Sequence, residues 1–191
     1  MKRIVPLSLL CLLLCACHHN DYTPKPYAYL RIDLPEHDYW LVDKTFPFRF
    51  EASQCVELAE KDAPKGERWI DLKYPQWDGV IFLTYKHLPS PDSLRGQTDK
   101  SLRYLEQHYQ FASGVEEQGY EDAKNKVYGT VYYLKGTKVA STCQFWLTDS
   151  SRHFLRGALY LNITPNNDSL APVIDYMQAD IEHLVETLRW R

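Results

Sequence analysis

The chain has 191 residues, with 22 lysines and arginines against 25 aspartates and glutamates, and a formal charge of −3. This length suits one folded domain, and the mild acidity lacks the clustered basic face that a nucleic-acid-binding surface requires. The same acidity argues against electrostatic docking on anionic membranes, so any membrane attachment must have another cause.

The N-terminus has the pattern of a bacterial lipoprotein signal. Two basic residues precede an apolar run over 4–14, which is too short for a membrane span of roughly 20 residues. Ala16 is the small residue that a lipobox requires before Cys17. We therefore expect cleavage of residues 1–16 and acylation of Cys17, for example with palmitate, and the alternative is an ordinary signal peptide.

The predicted anchor has consequences for location. Residues 17–26 are polar and contain two prolines, which is typical of a short extended tether. His18 follows the cysteine where an aspartate would indicate inner-membrane retention, so we expect an outer-membrane lipoprotein whose domain faces the periplasm. Two or more acyl chains make such an anchor stable, because each buried methylene contributes about 0.8 kcal/mol.

Export also affects the cysteines. Cys55 and Cys143 are the two that remain after cleavage and acylation, and they remain in an oxidising compartment. A bond between them would close a loop of about 90 residues and contribute on the order of 4 kcal/mol in the chain-entropy model. The alternative is two free, buried thiols on strands, and the sequence leaves both possibilities open.

Alternating apolar and polar residues predict strands along most of the chain. In chain order they cover residues 46–50 with an extension towards 58, 69–74, 80–85, 114–119, 126–134, 140–147 and 153–163. Residues 27–35 form either an edge strand or an extended segment laid across the domain, because the alternation ends at Pro35. The turn at 77–79 joins two of the strands into a hairpin.

Two helices complete the series. The first covers about 92–112, and its apolar stripe is Leu102, Leu105, Tyr109 and Ala112. The second covers about 168–190, with Asp168 or Ser169 as N-cap and Pro172 in the first turn. Its apolar stripe is Val173, Met177, Ile181, Leu184, Val185 and Leu188.

This order of elements predicts an α+β fold: a mainly antiparallel β-sheet with two principal helices packed on it, in a single domain over 27–191. The proportions also suit a sheet sandwiched between helices, as in the Mog1/PsbP-like fold. Strand parity gives the late strands one aliphatic face, which suits packing under the two helices.

The opposite face of these strands is the best candidate for a partner-binding surface. It carries the aromatic residues Tyr128, Tyr132, Trp146 and Tyr160 among polar ones. Tyrosine and tryptophan supply a large contact area with one polar group each, which suits contact with a protein or a glycan. The alternative is that another layer covers this face and makes the aromatics ordinary core.

The link between the last strand and the last helix is a second candidate for docking. It is polar, contains Asn162 and Asn166, and is otherwise explained as a turn that leads into the helix. Ser93 and Ser169 each lie in an Asp-Ser-Leu pattern that suits O-glycosylation, at helix starts where the same residues serve as caps.

Seven histidines raise the question of a catalytic or metal site. No two of them within the domain have metal-ligand spacing on a helix, and no nucleophile elbow, phosphate-binding loop or Cys-x-x-Cys occurs. Asp149, Ser150, Ser151 and His153 lie close together, but a turn explains them better than a triad. We therefore expect no enzyme, cofactor or metal, and the alternative is a hydrolase built around His153 or His183.

Two segments resemble a known family. They are 22–35, which contains Thr23-Pro24-Lys25-Pro26, and 162–175, which contains Asn162-Ile163-Thr164-Pro165-Asn166-Asn167-Asp168. Together with the lipobox, the chain length and the ending at 180–190, they are similar to the gliding motility lipoprotein GldD family over essentially the whole exported chain.

The resemblance implies a cell-envelope lipoprotein of Bacteroidota that is required for surface gliding. It also implies partners among the other gliding lipoproteins and the type IX secretion system, and it supplies no catalytic residue or cofactor. A non-enzymatic assembly component is therefore the leading prediction, and a periplasmic glycan- or peptidoglycan-binding lipoprotein is the alternative.

Overall fold

The computed structural model describes residues 32–191, in which two helices and ten strands confirm the predicted α+β class. In chain order they are β1 Tyr39–Val42, β2 Phe48–Ser53, β3 Glu57–Lys61, β4 Glu67–Tyr74, β5 Gly79–His87, α1 Ser93–Glu106, β6 Gly114–Asp122, β7 Val127–Lys135, β8 Cys143–Thr148, β9 His153–Leu161, α2 Asn167–Thr187 and β10 Arg189–Trp190. The predicted signal peptide, the acylated Cys17 and the tether over 17–26 lie outside the described residues.

Seven strands form one antiparallel sheet in the order β3-β4-β5-β9-β8-β7-β6. The predicted hairpin is β4–β5, in which Tyr74 pairs with Gly79 and Asp78 takes the left-handed conformation at φ 49°. A second, three-stranded sheet has the order β1-β2-β10. Sequence alternation predicted the hairpin because apolar residues at alternate positions of both strands, such as Ile70 and Leu72 or Ile81 and Leu83, are buried.

The main core lies between the large sheet on one side and α2 with β2 on the other. The predicted α2 stripe is confirmed, because Val173, Met177, Ile181, Leu184 and Val185 are all at most 2 % exposed. They pack in one cluster with strand side chains that include Phe50 of β2, Phe145 of β8 and Leu159 of β9. An unbroken apolar helix face against an apolar sheet face provides the largest hydrophobic contribution to this fold.

Helix α1 packs on the opposite face of the sheet, mainly over β8 and β9. Leu105 of α1 forms a separate cluster there with Tyr132, Leu134 and Val139. The expectation that both helices cover the aliphatic face is therefore wrong, and the large sheet is sandwiched between α2 and α1. Helix α1 stabilises the fold on this side because it removes apolar surface of the aromatic face from water.

Helix α1 is also shorter than predicted. It ends at Glu106, and a single 3-10 turn, Tyr109–Phe111, follows before the chain becomes extended at Ala112. Of the predicted stripe only Leu105 is buried, whereas Leu102 is 37 % and Tyr109 45 % exposed. A single buried apolar side chain does not produce the periodic pattern from which the length and buried face of a helix can be predicted.

Helix α2 begins one residue before the predicted start. Asn166 is its N-cap, and the Asn166 carbonyl accepts hydrogen bonds from the backbone N–H groups of Ser169 and Leu170 at 3.0 and 3.3 Å. Neither Asp168 nor Ser169 is therefore the cap, and Pro172 is the sixth helical residue, in the second turn. Its ring is tolerated there because it removes only one helical hydrogen bond close to the helix end.

Two further predictions concern the N-terminal part of the domain and the thiols. Ile32 and Leu34 pack at the border of the main core without joining a strand, so residues 32–35 are an extended segment and not an edge strand. Cys55, half-buried in the turn after β2, and Cys143, buried on β8, are free thiols in the structure, and a disulfide between them stays a prediction. Within residues 32–191 neither helix is long and apolar enough to cross a membrane.

Candidate ligand pocket beside helix α1

The structure brings the four predicted aromatic residues to one sheet face, but α1 covers part of that face. Tyr132 is only 7 % exposed and belongs to the cluster around Leu105, against which Trp146 packs. Tyr160 is half-buried, with its hydroxyl oxygen 3.3 Å from Nε2 of His108. The covering layer that the sequence analysis gave as the alternative to a binding surface is therefore helix α1, and Tyr132 is a core residue.

A pocket of about 230 Å³ opens beside α1, where the helix leaves the sheet uncovered. Its walls come from four elements: β4, β5, α1 and β9. The lining residues are Glu67, Trp69, Thr84, Lys86, Gln97, Lys100, Ser101, Tyr104, Phe154 and Arg156. Apart from Phe154 and Trp69 these are charged or polar side chains, as suits a part of the sheet that the helix leaves open to water.

Arg156 is the charged group at the base of this pocket. Its Nη2 donates a hydrogen bond to Oε1 of Gln144 at 2.8 Å, and its guanidinium carbon lies 4.7 Å from the centroid of the Tyr104 ring. Burial lowers the pKa of Arg156 from its ordinary value, but arginine is too basic to lose its charge. Within residues 32–191 no carboxylate forms an ion pair with it.

Glu67 organises the opposite wall. Its Oε1 accepts a hydrogen bond from Nζ of Lys86 at 2.8 Å, and its Oε2 accepts one from Nε1 of Trp69 at 3.0 Å. Burial acts to raise the pKa of Glu67, but these two hydrogen bonds and the charges of Lys86 and Lys100 outweigh burial and lower the pKa. The carboxylate therefore fixes the indole of Trp69 and forms its direct ion pair with Lys86, and not with Lys100 or Arg156.

Two buried donors lie on the strand next to Arg156. Nε2 of Gln144 and Nε1 of Trp146 have no hydrogen-bond partner among the described residues. Gln144 is 3 % exposed, and Trp146 is directly opposite Arg156 in the β8–β9 pairing. Buried donors normally have partners, so these two N–H groups are exceptions within the described residues.

Sequence reasoning missed Arg156 and the other pocket residues. One signal was available: an arginine in the middle of the apolar strand 153–163 is a charge on a segment that is otherwise core. Trp69 and Lys86 gave no such signal, because they become neighbours of Arg156 only through the β4–β5 and β5–β9 pairings.

A larger groove of about 450 Å³ lies beside α2, between that helix and the end of β7. Its polar groups are mostly paired within the protein: Lys135 with Glu116 at 3.0 Å, and the hydroxyl of Tyr133 with Oε1 of Glu182 at 2.6 Å. Because little polar chemistry is left over in this groove, the smaller pocket at Arg156 is the better ligand site.

The asparagine link is held by internal contacts. Nδ2 of Asn162 donates to Oδ1 of Asp78 at 3.0 Å, and Nδ2 of Asn166 donates to Oγ of Ser169 at 3.1 Å. These bonds support the turn interpretation, while partner binding at Asn162 and Asn166 stays a prediction. Glycosylation of Ser93 and Ser169, both half-buried, likewise stays a prediction.

For the hydrolase alternative, the ring of His183 has Nε2 2.7 Å from Oε2 of Glu51, whereas His153 has no carboxylate partner in the turn beside it. The carboxylate of Asp149 accepts hydrogen bonds from the backbone N–H groups of Ser151, Arg152 and His153 and from the Ser151 hydroxyl, so it binds the turn and not an imidazole. The ring of His153 instead has Nδ1 2.9 Å from the Tyr85 hydroxyl. Within residues 32–191 no group of three or more histidine, cysteine or acidic side chains could hold a metal ion.

Asp149 should accordingly be important for stability. Despite burial, these hydrogen bonds lower its pKa to about 2, so its contribution is complete above its unfolded value near 4 and is lost as the pH falls towards 2. We expect Asp149→Ala to lower the free energy of unfolding by about 1 to 2 kcal/mol at pH 7, allowing for solvent screening. Urea denaturation at several pH values measures this effect, and the exposed Asp62→Ala is the control; an equal loss in both variants would contradict the prediction.

Comparison with known proteins identifies a family. The model of the family described as gliding motility lipoprotein GldD matches residues 19–190 of the chain. A search of curated proteins returns no match.

Proposed function

The chain belongs to the gliding motility lipoprotein GldD family, and from this premise we propose that it is a non-enzymatic assembly component of the gliding machinery. The match over residues 19–190 carries the proposal, because it spans the entire folded domain. The proposed partners are other gliding-motility lipoproteins and components of the type IX secretion system.

The proposed attachment is an acylated Cys17 in the outer membrane, with the domain in the periplasm. Support for it comes from the lipobox, from the lipoprotein family, and from His18 at the position after the cysteine. Anchoring would raise the effective concentration of the domain near other membrane-bound components, which favours assembly even when each contact is weak.

The proposed contact surface is the 3-10 turn after α1. Tyr109 and Phe111 are 45 % and 53 % exposed there, although both are large aromatic side chains. Exposed aromatics at neighbouring positions suit a protein interface, because they bury a large area with little loss of side-chain entropy. We propose Tyr109 and Phe111 as contact residues in place of Tyr132 and Trp146, because the latter two pack under α1.

In-cell crosslinking followed by affinity capture of the tagged, full-length protein tests this proposal. We expect gliding or secretion lipoproteins to be recovered with the wild type and to be reduced severalfold with Cys17→Ala and with Tyr109→Ser/Phe111→Ser. The matched control is Leu41→Ser, which removes an equally exposed apolar side chain from β1. Recovery of no envelope protein, or equal recovery from all four proteins, would overturn the proposal.

A further inference from the structure

The Arg156 pocket has an excess of positive charge. It contains three cationic side chains and one carboxylate, and that carboxylate, Glu67, is bound by Lys86. The other two cations approach the same aromatic ring: the guanidinium carbon of Arg156 lies 4.7 Å and Nζ of Lys100 lies 5.7 Å from the Tyr104 centroid. An anion placed beside Tyr104 would therefore meet two cations that form no direct ion pair within the described residues, although the charge of Lys100 also reaches Glu67.

The surroundings favour an acceptor-rich ligand over a cation or a neutral apolar one. Arginine can donate five hydrogen bonds in a planar fork that fits a carboxylate, and Gln144 uses only one edge of Arg156. The unpartnered N–H groups of Gln144 and Trp146 lie on the adjacent strand but do not line the pocket, so the donors available to a ligand are those of Arg156 and the lysines. The partial burial of Arg156 strengthens any charge pair that forms with it.

The remaining walls match a sugar ring. Trp69 and Tyr104 are 39 % and 38 % exposed, so each leaves ring surface available for contact. Thr84, Gln97 and Ser101 add neutral polar groups that can bind hydroxyls. A simple carboxylate would use the cations alone, whereas a saccharide would use the aromatic and hydroxyl-binding walls as well.

The size of the pocket limits the ligand to one ring. Its volume of about 230 Å³ is below the roughly 300–1,000 Å³ that is typical of pockets for drug-sized ligands. The pocket is open along α1, so neighbouring units of a longer glycan could lie outside it.

We propose that this pocket binds a single acidic sugar residue of an envelope glycan, with the carboxylate between Arg156 and Lys100 and the ring against Trp69. This binding site goes beyond the proposed assembly role and does not depend on it. Partner capture tests the assembly role alone, and its outcome leaves the proposed site unaffected. The glycan supplies both the anion and the polyhydroxylated ring for which the pocket has separate walls.

Calorimetric titration of the full-length protein in detergent tests the proposal with four probes: glucuronate, glucose, acetate and inorganic phosphate. We expect glucuronate to bind at least tenfold more tightly than acetate or phosphate, and glucose to show no binding. Lys100→Ala should weaken glucuronate at least fivefold, because Lys100 is exposed at the rim and its loss does not disturb the core. Lys138→Ala removes an equally exposed lysine elsewhere and should have no effect.

A second variant distinguishes the contribution of the sugar ring to binding from that of its carboxylate. Trp69→Ala should weaken glucuronate severalfold and leave acetate unchanged, because acetate has no ring to contact the indole. Equal affinity for acetate and glucuronate, preference for phosphate or glucose, or no heat with any probe would overturn the proposal; in the last case ordered water fills the pocket.

Discussion

Replacing Asp180 with alanine is expected to lower the free energy of unfolding by about 3 kcal/mol, because it removes two hydrogen bonds to a charged group. Asp180 lies on α2 and is 4 % exposed. Its Oδ2 accepts the hydroxyl of Tyr74 at 2.9 Å, and its Oδ1 lies 2.8 Å from Nδ1 of His37. The carboxylate thus connects the last helix, the end of strand β4 and the segment that leads into β1.

Tyr74 explains most of this expected loss. It is 1 % exposed, and burial, together with the charge and hydrogen bond of Asp180, raises the pKa of its hydroxyl. Alanine at position 180 would leave that hydroxyl buried with no acceptor, and an unsatisfied buried donor costs about 1–3 kcal/mol. Asp180→Asn retains an acceptor oxygen, so it should lose clearly less than Asp180→Ala.

Urea denaturation of the purified full-length protein measures these differences. The control is Asp175→Ala, which removes an exposed carboxylate from the same helix and should change the free energy of unfolding by at most about 0.5 kcal/mol. A loss in Asp180→Ala no larger than that of the control would show that the network contributes nothing to stability.

Local patterns in the sequence predicted much of the fold. The strand alternation and the α2 stripe each repeat over many residues, so one face can be assigned without knowing what covers it. The α+β class followed from the order of these elements. Helix α1 was placed less well, because its only buried apolar side chain is Leu105 and the packing around Tyr132 decides where it lies.

The candidate site could not be predicted in the same way. Arg156 meets Tyr104 only because α1 crosses β9, and Trp69 joins the pocket through pairing across two strands. The Asp180 network is more extreme, since it joins residues that are 106 and 143 positions apart. Such contacts depend on tertiary packing, and neither periodicity nor spacing in the sequence encodes them.

Gly157→Ala is the second substitution with a large expected effect, and it concerns the centre of the sheet. Gly157 pairs with Phe145 on β8 and with Leu83 on β5, and a Cβ built on it would overlap the ring of Phe145. Phe145 is 1 % exposed and packs in the main core, so its ring can move only if its neighbours also move. We therefore expect a loss of about 2 kcal/mol or more in the free energy of unfolding, as is typical of overpacked cores.

A matched control and a rescue make this prediction specific. Gly119→Ala also changes a strand glycine, but nothing lies within 4 Å of the added Cβ, so its stability should be unchanged or slightly higher. Phe145→Leu should lose less stability in the Gly157→Ala background than in the wild type, because the smaller side chain relieves the overlap. Denaturant unfolding of the wild type, the two single variants Gly157→Ala and Phe145→Leu, and the double variant gives this coupling free energy directly. Strictly additive losses would mean that the sheet, and not the ring, absorbs the extra methyl group.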